Sequence, residues 1–464
     1  MMPTPSRVLY RNPSFTSIWI GEAASSLGGS FGTVANSWLL FQITGTGLEA
    51  ALGSMWLIYM LPSLLVQLVI GPYLDRWNKQ RVMLFSQIAR ALLFCFPLLM
   101  SLNGHLQPWH IFVVSLGNGL IQPLYVPSSM ALLPSLLDEK QLPQANAVID
   151  GTSRLMMFLG PPAGGLLVAL IGAPFTLTGI ILLYLASGAL LLRCRPIHQQ
   201  QEQKRETWAA QLIAGFRYFF AHKQLVWLSV FLAFVQFAVG VTMVLYLPFV
   251  VQTLGGSSFT YGLFIAMFPL GYFLGSLLVP RFSSGSSRHS GSVLRTDSGQ
   301  YPNLSLRADP RLRLIPRLRL HFRRWLGQGL PLRIVMLGSI LLGGSTFFAL
   351  SLVHHIWIAL LIELFAGITS PFFQVHSTTL YQCTVPADMR GRVFSVRLLI
   401  IRSVMPLGTL FGSVCAPIWG IRPIFAFIGG VICLAAFVGV VVPWFRFLDG
   451  GNLGETSVDK KSSA

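Results

Sequence analysis

Two carboxylates stand nearly alone in long apolar runs of this chain, and they are the residues best placed to do chemistry. Glu22 lies seven residues into a run that opens near residue 15, and Glu363 lies in a run near 355–380. At 1.5 Å per helical residue each is about 10 Å from the end of its run. A carboxylic acid in apolar surroundings can exchange its proton near neutral pH. Two readings stay open for each residue. Glu22 is a proton site, or a carboxylate near an interface paired with a base. Glu363 serves coupling or substrate contact, or a structural ion pair.

Other polar side chains in the apolar runs extend the set. Asp150 and Arg154 are four apart and share one helix face, the spacing of an intrahelical ion pair. Arg402 has Leu398 one turn earlier and needs a partner from another element; Glu363 is the nearest acid by depth. Arg90 follows Gln87 by one turn and is either a packed structural arginine or one that lines a cavity. Asn36 and Gln236 can hydrogen-bond a substrate or a neighbouring helix. A charge held in a membrane span costs about 2.5 kcal/mol or more, so each of these needs a reason to be there. The aromatics Trp19, Trp38, Trp56, Phe234, Phe237, Tyr246, Phe372 and Phe373 can pack, face lipid or line a pocket for an amphiphile.

The elements that must position these residues are membrane helices. The chain has 464 residues, 53% hydrophobic and only 10% charged, too apolar for a soluble domain of this length. Twelve spans can be read, at 15–41, 49–73, 82–102, 109–133, 145–171, 174–193, 225–251, 258–280, 332–353, 355–380, 392–417 and 421–445. Arg7 and Arg11 precede a first run too long for a signal peptide. The formal net charge of +18 does not imply nucleic acid. With the N-terminus inside, the inner connections hold nearly all the bases outside the spans, and the outer connections hold Arg422. This asymmetry places both termini in the cytoplasm of a cell-membrane protein, with its basic face on anionic lipid.

The chain also repeats. Pro123 and Pro371, Arg154 and Arg402, Gly160 and Gly408, and Gly164 and Gly412 are each 248 residues apart. Their coincidence in one frame implies two six-helix halves, at 1–193 and 224–447, with a tail at 448–464. Earlier in the repeat, Arg281 matches Arg76 at an offset of 205, so an insertion of about 43 residues lies at 283–325. It is rich in Ser, Gly and Arg and reads as a disordered cytoplasmic loop. Between the halves, 194–223 carries Trp208, Leu212, Phe216 and Phe219 on one helical face, which predicts an amphipathic helix in the inner interface.

A short charged turn separates the second and third runs. It holds Gly71, Asp75, Arg76, Lys79 and Arg81. Gly71 permits close helix approach, and Asp75 and Arg76 sit where charge meets a helix dipole. This pattern resembles the loop between the second and third helices of the major facilitator superfamily. Asn78 stands where that family commonly has Gly, and asparagine accepts a left-handed turn. Further stretches carry the resemblance: Asn12-Pro13-Ser14-Phe15, Ser26-Leu27-Gly28, Asn146 through Arg154 to Gly160-Pro161, and Arg390-Gly391-Arg392-Val393. They are similar to the drug-exporting branch that includes macrolide-efflux pumps and the enterobactin exporter.

The resemblance implies an all-α major facilitator fold of two rocking halves around one cavity, with the Gly71–Arg81 turn as cytoplasmic gate. It implies export of a hydrophobic or amphiphilic small molecule, macrolide-like, driven by the proton motive force without a cofactor. A siderophore or metabolite exporter is the alternative, ahead of an uptake carrier, a passive channel or a membrane-embedded enzyme. The expected partners are substrate, protons and lipid, and the protein is expected to act as a monomer. No phosphate-cradling loop ending in Gly-Lys-Ser/Thr is present, which argues against ATP-driven transport. His354 and His355 lack an acid partner and a third ligand, so no metal site is expected. Cys95, Cys194, Cys383, Cys415 and Cys433 have no metal-ligand spacing.

Overall fold

The computed structural model describes residues 12–45, 47–70, 73–74, 77–137, 141–194, 208–283, 331–386 and 389–441. They form thirteen α-helices: α1 (Pro13–Thr44), α2 (Leu48–Val69), α3 (Lys79–Leu102), α4 (Pro108–Leu132), α5 (Leu142–Ile171), α6 (Ala173–Leu191), α7 (Trp208–Ala221), α8 (Lys223–Pro248), α9 (Ser258–Ser283), α10 (Leu332–Leu352), α11 (Ile356–Thr384), α12 (Arg390–Trp419) and α13 (Ile421–Val441). Eleven of these are long and apolar enough to cross a membrane. The sequence gives twelve spans, and α1 is the remaining long helix. Its 32 residues are ample for a bilayer, but Ser, Gly, Glu22 and Asn36 dilute its apolar content.

Local chemistry sets the helix starts. Asn12 caps α1 by accepting from the amides of Ser14 at 3.0 Å and Phe15 at 3.2 Å, with Pro13 at the first turn. Asn78 caps α3 by accepting from the amide of Arg81 at 3.1 Å. Its φ is −68° and ψ 112°, so Asn78 does not use the left-handed turn that asparagine accepts. A helix cap needs an extended backbone and a short side-chain acceptor, and asparagine supplies both.

The repeat is visible in the backbone. The ends of α5 and α12 are each 248 residues apart, Leu142 with Arg390 and Ile171 with Trp419. Both helices stop at a glycine, Gly172 with φ 84° and ψ 158° and Gly420 with φ 82° and ψ 164°. That region of backbone space is essentially closed to other residues. Packing repeats as well. α1 lies on α5 as α8 lies on α12, α2 on α4 as α9 on α11, and α3 on α6 as α10 on α13. The halves meet where α5 packs on α9 and α12 packs on α2.

The bundle has two unlike ends. Every positive-φ glycine among the described residues lies at one end, in the turns after α1, α3, α5 and α12 and before α9. Lys79, Arg81, Arg193, Arg217, Lys223, Arg390 and Arg392 lie at or near the other, the basic end. There α7 packs against α12. A Cβ at Gly215 would fall 2.7 Å from the carbonyl oxygen of Arg392, and Tyr218 donates to the carbonyl of Thr384 at 3.3 Å. Phe219 is buried while Ile213 and Phe220 stay exposed, so the apolar face expected to meet lipid is partly spent on the second half. The side chains of Trp208 and Leu212 lie outside the described residues, as do 284–325 of the insertion.

Candidate functional site

A cavity of about 650 Å³ lies within the first half. Each of its lining residues belongs to α1–α6 or to the turn just after α4, between Glu22 and Tyr184. α1 supplies a face of small and polar groups: Glu22, Ser25, Ser26, Gly29, Ser30, Thr33 and Asn36, recurring every three or four residues. Opposite stand Trp56 and Tyr59 on α2, Arg90 and Phe94 on α3, Gln122, Tyr125 and Ser129 on α4, and Tyr184 on α6. The cavity runs toward the basic end, where Leu133 and Asn146 line it.

Toward the glycine-turn end the halves are shut by two matching contacts. Gly165 on α5 meets Ser258 at the start of α9, whose hydroxyl donates to the Gly165 carbonyl at 3.0 Å. Gly53 on α2 meets Ser413 on α12, and a Cβ at Gly53 would fall 2.3 Å from the Ser413 Cβ. Each contact pairs a glycine with a serine, which lets backbones approach as small residues do in membrane bundles.

Within the cavity, Ser129 donates to the carboxylate of Glu22. Arg90 is 5% exposed and donates to Gln122 Oε1 at 2.5 Å. Its guanidinium carbon lies 5.0 Å from the ring centre of Tyr125 and 5.7 Å from that of Tyr184. Asn36 is buried, with its side-chain oxygen unpartnered. Asp150 reaches the rim and forms the expected ion pair, 2.8 Å from Arg154. The Arg154 guanidinium also lies 5.8 Å from the ring centre of Tyr272 on α9, across the interface between halves.

The structure thus brings Glu22, Asn36, Arg90 and Asp150 to one cavity and leaves Glu363, Arg402 and Gln236 outside its lining. Glu363 is 2% exposed inside the second half and accepts from the Tyr246 hydroxyl at 2.8 Å. The expected pairing of Arg402 with Glu363 is not formed. Arg402 donates instead to Gln67 Oε1 on α2 at 3.2 Å, because it faces the other half rather than the interior of its own. Gln236 is half-buried on α8. Of the turn, Lys79 and Arg81 open α3, while Gly71, Asp75 and Arg76 lie outside the described residues. Of the aromatics singled out from sequence, Trp56 lines the cavity; Tyr59, Phe94, Tyr125 and Tyr184 were not singled out and do so.

The helices form two halves of a membrane bundle, with the cavity lined by the first. A family model described as transmembrane secretion effector matches residues 6–289, and the chain belongs to that family, within the major facilitator superfamily. Macrolide efflux protein A of Streptococcus pyogenes is 21% identical over 447 residues, covering 94% of this chain and 97% of that one. The staphyloferrin A transporter of Staphylococcus aureus is 21% identical over 416 residues, 88% and 91% of the two chains. The enterobactin exporter EntS of Shigella boydii is 26% identical over 289 residues, 61% and 66%. The fold also matches a bacterial homologue of the iron transporter ferroportin, solved in an inward-facing state, with a TM-score of 0.65 at 14% identity over 94% of this chain and 98% of that one. The family is one of transporters, which removes the enzyme alternative.

Proposed function

We propose that this protein exports an amphiphilic small molecule from the cytoplasm and is driven by the proton motive force. The observation that carries the reading is the cavity. It offers polar groups on α1 and aromatic and aliphatic surface opposite, and it runs to the basic end while the other end is shut. Lysine and arginine accumulate on the cytoplasmic side of membrane proteins, which supports the reading in which the basic end and both termini lie there. Cargo then enters from the cytoplasm and leaves when the Gly53–Ser413 and Gly165–Ser258 contacts part. In this reading residues 1–193 and 224–447 move as two bodies joined by 194–223. A single monomer suffices, and no cofactor is required.

Glu22 and Glu363 are the proton carriers in this proposal. Glu22 lies in the cavity, where a proton and a substrate compete for it. Glu363 is sealed within the second half, where only a proton reaches it. The names of the relatives support export of macrolides or siderophores as cargo classes.

The test is accumulation of labelled amphiphiles in cells stripped of their own pumps, with and without a protonophore. It is run for the unsubstituted protein, Glu22→Gln and Glu363→Gln. Lower accumulation that the protonophore abolishes and at least one substitution impairs is the expected result. Export that survives the protonophore and both substitutions rules out this coupling.

A further inference from the structure

We propose that Arg90 receives a negatively charged group on the transported molecule, so that the cavity takes an amphiphile bearing a carboxylate. This rests on the reading of the cavity as the substrate site. Arg90 is a cation nine-tenths buried, and among the described residues it makes no ion pair. Asp150 is paired with Arg154, and Glu22, held by the Ser129 hydroxyl, acts on Arg90 through its charge without an ion pair between them. A buried guanidinium with no carboxylate in direct contact is a costly arrangement that a matching anion relieves.

The geometry directs that anion to one edge of the side chain. Tyr125 and Tyr184 lie against the guanidinium within cation–π range. What remains is the plane of N–H donors. Gln122 takes one of them, and Nε is buried with no hydrogen-bond partner. Tyr125 and Asn36 line the same cavity, and the Tyr125 hydroxyl lies beside Glu22 and Ser25. What is left of the planar fork matches a carboxylate oxygen in geometry and charge. Met55, Trp56 and Phe94 offer apolar surface for the rest of the molecule. Glu22 faces the same space and repels a second anion, so the ligand carries one acid group and turns a neutral or donor group toward Glu22. A molecule bearing positive charge alone meets Arg90 at a penalty.

The test uses the purified full-length protein in lipid nanodiscs. The probes are dansyl-labelled undecanoic acid and its methyl ester, with dansyl fluorescence as the readout. The acid is expected to bind about tenfold or more tightly than the ester, the usual worth of a hydrogen bond to a charged group. Arg90→Gln is expected to abolish the difference by weakening the acid alone. Arg90→Lys, a point charge without the fork, keeps part of it. Equal binding of acid and ester to the unsubstituted protein overturns the inference, and so does an Arg90→Gln variant that weakens both in proportion. If Arg90→Gln does not fold, Arg90→Lys decides: weaker acid with unchanged ester supports the role, and no change in either overturns it. Failure of both probes to bind removes the substrate reading of the cavity and this inference with it. Equal binding of both removes only the inference.

Discussion

Arg402 on α12 hydrogen-bonds Gln67 on α2 at 3.2 Å, and this contact is the repeat-image of Arg154 on α5 against the ring of Tyr272 on α9. The two arginines are 248 residues apart, and Gln67 and Tyr272 are 205 apart, the offset already implied by Arg76 and Arg281. Both arginines therefore reach from their own half to the other at equivalent places. Introducing cysteines at Gln67 and Arg402, or at Arg154 and Tyr272, is expected to allow cross-linking between halves by a short bifunctional maleimide. Mobility on a gel after proteolysis between the halves reads the outcome. Cross-linking of one pair and not the other would show that the two interfaces are not equivalent.

Gly53 and Gly165, the glycines of the two closing contacts, leave no space for a larger residue. A Cβ at Gly165 would fall 2.3 Å from the carbonyl oxygen of Ser258. Gly165→Val is therefore expected to part α5 from α9 and open the cavity at that end. An Asn36→Cys reporter should then react faster with a membrane-impermeant maleimide added outside intact cells. Unchanged labelling, with the variant at normal abundance, would contradict the role of this contact.

Glu363 and Tyr246 form a buried pair whose members are not interchangeable. Tyr246→Phe leaves the carboxyl without its donor and is expected to destabilise the protein by about 1–3 kcal/mol. Glu363→Gln keeps an acceptor for the tyrosine hydroxyl, so its stability stays close to that of the unsubstituted protein while transport suffers. Thermal unfolding in detergent separates the two. A larger loss for Glu363→Gln than for Tyr246→Phe would refute this account.

Cys194, just past α6, is 3% exposed, and burial pushes its thiol up to about 11. The thiolate is the reactive form, so a raised value leaves less of it at neutral pH. In a variant that keeps only this cysteine, alkylation is expected to be slower than for a free thiol and to accelerate as the pH approaches 11. Rapid labelling at neutral pH in the folded protein would contradict the burial of this thiol.

Much of this architecture was legible because proline, glycine and arginine in apolar helices are rare enough to mark a frame. Pro123 with Pro371 and Arg154 with Arg402 gave the offset that the ends of α5 and α12 obey. Charges in the cavity were legible for the same reason: Glu22, Arg90 and Asp150 stand out against their neighbours. The partner of Arg402 was not, because depth along a helix says nothing about the direction in which its face is turned. Tyr125 and Tyr184 are not legible as lining residues, since an aromatic residue in a span carries no mark of whether it meets lipid or a cavity. One signal does mark the cavity in the sequence, the small polar face of α1 from Glu22 to Asn36, whose spacing of three and four residues belongs to one side of a helix.

On the proposed reading of the cavity, whose lining runs from Glu22 to Tyr184, the choice of cargo is written in one half of the gene. Mutations that retune it can accumulate there without disturbing the helices that seal Glu363. Recombination that replaces the second half with a relative's would preserve what is carried and alter how fast. The two copies, alike in backbone, are thus free to evolve on separate clocks.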